Sequence, residues 1–180
     1  MRSLATPFCC DLVELEIATL CYLVNAFTIY PCSVRQESKG LQIRESIKIE
    51  AAPAQIFALY QDVAGWASWD PEVVRASLPD GLALNARGWL KPTTGPKAKI
   101  RVVEVTKGKS FSIASRLPLC NMLFGHDLVE VEGATLATHW VTFSGPLSFL
   151  FRRLVGSQIQ ASLPRTMRGL KRASEVSIGR

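Results

Sequence analysis

The chain has 180 residues, 48% hydrophobic and 20% charged, with 12 Gly and 10 Pro, which excludes disordered, collagen-like and disulfide-scaffold proteins and leaves one ordinary domain with an appendage. Five cysteines (Cys9, Cys10, Cys21, Cys32, Cys120) without a C-x-x-C spacing exclude a zinc module. Lys and Arg number 21 against 15 Asp and Glu, a net charge of +6, and from Arg152 onward Arg152, Arg153, Arg165, Arg168, Lys171, Arg172 and Arg180 are offset only by Glu175.

A basic stripe of this kind attracts nucleic acid or anionic lipid, but a solvated helix face carries the same residues, and no nucleic-acid partner is expected. At this length a domain buries roughly 70% of the surface its unfolded chain exposes, enough for a core with an internal cavity.

Residues 1–40 form an N-terminal extension. Ile17 to Val34 carries no charge, which just reaches the length of a membrane-spanning helix. Thr19, Asn25, Thr28 and Pro31 dilute the run, and Asp11, Glu14 and Glu16 stand where a signal peptide needs positive charge. Three readings stay open: an anchor over residues 17–34, a soluble helix, or a stretch upstream of the true start. Arg35 and Lys39 follow the run, so a spanning segment would leave the main domain in the cytoplasm. Cytoplasmic localisation is expected on either soluble reading. In all three cases the working domain is residues 41–180.

That domain opens on an alternating stretch, Leu41 to Glu50, the period of a half-buried strand. Pro53 suits the first turn of a helix, and Ile56, Phe57, Leu59, Tyr60 and Val63 recur at helical spacing to about Ala64. A Trp-rich turn, Gly65 to Pro71, follows. Six strands are then predicted: Val73–Leu78, Leu84–Lys91, Lys97–Thr106, Lys109–Leu117, Met122–Val131 and Ala134–Ser144, separated by turns such as Pro79-Asp80-Gly81 and Glu132-Gly133. After Gly145-Pro146 the period becomes helical, and Leu147, Leu150, Phe151, Leu154, Val155, Ile159, Leu163, Met167, Leu170 and Ala173 make one long apolar stripe. Pro164 should bend that helix. The expected fold class is α+β, a curved antiparallel sheet wrapped around a long C-terminal helix.

This order, with Ile49-Glu50-Ala51 before Pro53, Ile56 and Phe57, Trp66 and Trp69 before Asp70-Pro71, Gly88, the Gly145-Pro146 junction and Leu170, resembles the START-like superfamily of helix-grip proteins, also called the SRPBCC or polyketide cyclase/dehydrase group. The resemblance implies an internal cavity for a hydrophobic ligand and leaves open whether chemistry happens there.

The two histidines are placed by the Glu132-Gly133 turn. If it is a two-residue hairpin, His126 faces His139, on a face shared with Phe124, Leu128, Glu130, Thr135, Ala137, Val141 and Phe143. Such a pair can move protons or bind a metal. Glu130, four residues along, is roughly 13 Å away at strand rise, so no third ligand is offered and no metal or other cofactor is expected.

Arg116 is the remaining catalytic candidate with His126 and His139, although a surface arginine at a strand end is the plainer reading. Asp70 and Glu72 read as turn residues before a carboxylate pair, and Cys120 as a small buried residue. The expected cavity side chains are Phe57, Trp66, Trp69, Phe124, His126, Leu128, His139, Val141, Phe143 and Leu154.

The first expectation is non-catalytic binding or transport of a hydrophobic small molecule or lipid. The alternative is a cyclase, aromatase or dehydratase using the same cavity. A third is lipid transfer with membrane contact through the N-terminal segment or the basic C-terminal helix.

Overall fold

Alternation of apolar and polar residues is answered by a single sheet. In the computed structural model, which describes residues 42–176, β1 (Ile43–Ile49) buries Ile43 and Ile49 and exposes Arg44, Ser46 and Lys48 between them. The N-terminal extension and the three readings of it lie outside the described residues. Pro53 opens α1 (Pro53–Gln61), where the missing proline N–H leaves nothing unpaired, and the Gln55 side chain accepts from the Ala52 N–H at 3.1 Å. The helix stops at Gln61, earlier than its apolar spacing predicts. A 3₁₀ turn (Val63–Gly65) follows, with the Asp62 carboxylate accepting the Gly65 N–H, and the expected Trp-rich turn is itself a short helix, α2 (Trp66–Trp69).

The remaining strands are β2 (Val73–Ser77), β3 (Arg87–Pro92), β4 (Ala98–Thr106), β5 (Ser110–Leu117), β6 (Cys120–Val131) and β7 (Ala134–Ser144). They form a 7-stranded sheet in the order β1-β7-β6-β5-β4-β3-β2, antiparallel throughout. The meander from β2 to β7 needs only hairpins, while α1 and α2 carry the chain from β1 at one edge to β2 at the other. Register shifts at Val73/Arg75 and Val102/Glu104 are the bulges that increase local twist and let such a sheet curl.

The long C-terminal stripe folds in three parts: α3 (Ser148–Phe151), a π turn (Arg152–Gly156) and α4 (Ser157–Val176). Pro164 lies inside α4 without ending it. Leu163, Met167 and Leu170 are buried, and Arg165, Arg168 and Arg172 are exposed. Two sets of polar contacts fix α4 across the curl. Toward one edge, Thr166 Oγ1 donates to Asp70 Oδ1 at 2.8 Å, and a Cβ at Gly169 would stand 1.9 Å from the Trp69 carbonyl oxygen, so only glycine permits this approach. Toward the other, Lys171 Nζ donates to the Lys48 carbonyl at 2.8 Å and Glu175 accepts the Glu50 N–H at 3.1 Å.

The main core gathers Ile49, Ile56, Phe57, Tyr60, Val102, Phe111, Met167 and Leu170. A smaller cluster joins Ile43, Val141 and Leu163, with Phe124 and Phe143 packed on it. Full burial of side chains this size stabilises by about 1.5–3 kcal/mol each. Among the described residues no helix is long and apolar enough to cross a membrane.

Candidate functional site

The site is built on the β6–β7 hairpin. Glu132 and Gly133 have φ values of 52° and 78°, the paired positive angles of a two-residue turn that matches strand twist. Val131 therefore pairs with Ala134, and His126 stands opposite His139. Their rings meet edge to face at 4.4 Å between centroids. Phe111, the partner of His126 across β5, stacks on it at 4.0 Å with the planes 2° apart.

The group that completes this cluster comes from α1. Tyr60, 1% exposed, places its hydroxyl 2.9 Å from His139 Nε2, across a sequence separation of 79 residues. Its ring is also 5.6 Å from His126 and 5.1 Å from Phe111. Burial, and then the negative charge of Asp127, push the phenol above its ordinary range, so it stays protonated. Burial lowers His126 to about 3, against a weaker opposing influence of the Phe111 backbone. His139 is held well below the ordinary imidazole range by burial and then by repulsion from His126. Both imidazoles are thus neutral at pH 7, and the phenol and Nε2 share one hydrogen bond whose donor is set by the His139 tautomer.

A cavity of about 250 Å³ opens between this cluster and α4. Trp66, Trp69, Leu90, Ile100, Ile113 and Phe124 supply much of an apolar lining. His126 keeps part of its surface open there, while its Nδ1 and the Trp69 Nε1 are buried without a hydrogen-bond partner of good geometry. At another part of the lining, Asp70 Oδ1 accepts from Thr166 and from the Glu72 N–H at 3.0 Å, and burial raises its carboxyl despite these bonds. Glu72 is held by the exposed Arg165 at 2.8 Å.

Of the side chains expected in the cavity, Trp66, Trp69, Phe124, His126 and His139 line it. Phe57 packs edge-on against Tyr60 in the core behind it, and Leu128 is buried in the same cluster. Val141 and Phe143 belong to the smaller cluster.

Leu154 lies outside: it is 62% exposed. The π turn adds a residue to one helical turn and shifts the phase of the stripe, so Val155 faces the cavity instead. Arg116 is exposed and pairs in register with Asn121, away from the lining. Cys120 is buried, which raises its thiol.

Tyr60, Phe111 and Ile113 also line the cavity, and none of them is marked as a cavity residue by sequence pattern. Tyr60 is visible there only as one apolar position in α1. Among the described residues no three His, Cys, Asp or Glu side chains gather as a metal-ligand set.

Residues 41–175 match the sequence model of the family described as polyketide cyclase / dehydrase and lipid transport. No curated protein matches. Among solved structures, the chain is similar to TTHA0849 from Thermus thermophilus (TM-score 0.61, 16% identity, covering 76% of this chain and 99% of that one). It is also similar to MLL2253 from Mesorhizobium loti (TM-score 0.60, 14% identity, 73% and 95%). A third similar structure is the di-domain ARO/CYC StfQ from the steffimycin biosynthetic pathway (TM-score 0.64, 14% identity), where the match covers 77% of this chain and 52% of that one. At these identities the likeness is one of fold.

Proposed function

This chain belongs to the polyketide cyclase/dehydrase and lipid transport family, within the START-like superfamily, and from that premise we propose that it binds or carries a hydrophobic small molecule in its cavity without transforming it. The observation that carries this reading is the character of the interior, an apolar space whose histidines are neutral and whose one phenol is already hydrogen-bonded to His139. Such a lining provides area for burial and a few neutral polar points for orientation.

A neutral apolar fluorophore should bind the full chain, and Phe124→Glu should weaken it by about tenfold or more, because the new charge sits in an apolar wall. Unchanged affinity in that variant would place the dye elsewhere.

A second reading, a cyclase, aromatase or dehydratase, draws on the Tyr60–His139 contact. A phenol 2.9 Å from an imidazole, with a second imidazole beside it, is a set through which a proton can move. The similar StfQ structure, named as an ARO/CYC protein, adds weight to it. Exchanging both histidines for Gln separates the two. A carrier keeps its affinity within about tenfold, whereas an enzyme loses turnover of a polyketide-type substrate by about a hundredfold or more.

A further inference from the structure

The chain is cationic as a whole, yet among the described residues no Lys or Arg lines the cavity. The titratable side chains that do are Tyr60, Asp70, Glu72, His126 and His139. An anion entering this space meets two carboxyl groups and two imidazoles buried in their neutral form, with no fixed positive charge to replace the water it gives up. A cation fares little better. Asp70 already accepts from Thr166 and from the Glu72 N–H, and Glu72 already has Arg165 as its counter-charge.

The basic residues Arg165, Arg168 and Arg172 of α4 are exposed, so they place their charge at the outer surface. What the lining does offer is neutral polarity. Its imidazoles sit beside an apolar wall, and His126 keeps part of its surface open to the space, where a neutral hydrogen-bonding group of an occupant can meet it.

Resting on the reading of the cavity as a hydrophobic-ligand site, we infer that its ligand is an uncharged apolar molecule carrying at least one hydrogen-bonding oxygen, such as a ketone, ester or alcohol, and is neither a carboxylate nor an amine. The oxygen distinguishes it from a plain hydrocarbon, and its place is beside the histidine pair.

The test is displacement of the neutral fluorophore N-phenyl-1-naphthylamine from the full chain at about pH 8, where carboxylates are ionised and aliphatic amines still carry charge. The competitors are matched in chain length: 2-decanone, 1-decanol, decane, decanoate and decylammonium. The ketone and the alcohol should displace the dye at concentrations about tenfold or more below those of both ions, and several-fold below that of decane. His126→Phe should narrow the gap between ketone and hydrocarbon, each read against the affinity of the dye for the same variant. If that variant fails to fold, the comparison of the ligands on the unmodified chain still decides.

Decanoate or decylammonium equal to the alcohol overturns the charge inference, and decane equal to the ketone overturns the oxygen. In both cases bound dye leaves the binding reading standing. A chain that binds neither the dye nor any competitor, by fluorescence or by a shift in Tm, overturns the binding reading together with the inference built on it.

Discussion

The two faces of the β6–β7 hairpin share one register and handle polar groups in opposite ways. On the inner face His126 and His139 lie against Tyr60 and Phe111, and their polarity is met by a phenol and by ring stacking. On the outer face the pair one step along is Gly125 and Trp140. The indole lies over the glycine so closely that a Cβ there would stand 2.0 Å from Cε2. Its Nε1 donates to Asp127 Oδ2 at 2.8 Å. The outer face keeps its indole bond at a half-buried carboxylate, while the inner face encloses its two imidazoles, whose charged forms burial disfavours. Alternation along a strand sorts more than hydrophobicity: it sorts which polar groups are sealed from solvent.

Lowering the pH presses hardest on that difference. Both inner histidines have folded pKa values below the unfolded value of about 6.5. Above about pH 7.5 neither state takes up a proton, and stability is flat on their account. Below 6.5 the unfolded chain binds protons that the folded chain refuses, and each histidine removes up to about 1.4 kcal/mol of stability per pH unit. For His126 the loss runs on until its folded value of about 3. Urea midpoints followed from pH 8 downward should show the decline, and exchanging both histidines for Gln should flatten it. A slope that survives the exchange would assign the acid sensitivity to other groups and leave the inner face unexplained.

A smaller effect separates the two hydrogen bonds. Tyr60→Phe leaves His139 Nε2 buried with no hydrogen-bond partner, an expected destabilisation of about 1–3 kcal/mol. Trp140→Phe removes a bond to a carboxylate that water can still solvate, for an expected loss within about 1 kcal/mol. Chemical denaturation of the two variants side by side measures both. Equal losses would show that the outer bond is as desolvated as the inner one, and the contrast between the faces would fail.

How much of this was legible follows the same division between local and distant. The strands, their turns and the pairing of His126 with His139 could be read from Glu132-Gly133 and from alternation, because those signals act over a few residues. The α+β grip itself came through the order of elements. Tyr60 as the partner of His139 could not be read, since the two stand 79 positions apart in sequence and come together only when α1 crosses from one sheet edge to the other. Phe57 shows the same limit. Helical spacing marks it as buried, but which of two neighbouring apolar positions meets the cavity depends on how α1 is rotated against the sheet, and Tyr60 takes that place.

The C-terminal stripe was legible up to one irregularity, and that irregularity sets the smallest prediction. A uniform 3.6-residue period carries Leu154 onto the same face as Leu147 and Leu150, and so into the cavity. A π turn closes its hydrogen bonds one residue later, so side chains before and after Arg152–Gly156 are out of phase. Ile159 and Leu163, beyond the turn, keep the inward face, and counting back from them by helical spacing reaches Val155. Leu150 and Leu154 are left facing outward. Leu154→Gln should therefore change stability by no more than about 0.5 kcal/mol and leave fluorophore affinity where it was. Val155→Gln, one residue on, should weaken the dye by several-fold, because it sets an amide into the apolar wall. The two variants differ by a single position in sequence. A larger effect at Leu154 than at Val155 would mean that the helix runs through without the extra residue, returning the stripe to the phase its sequence spells.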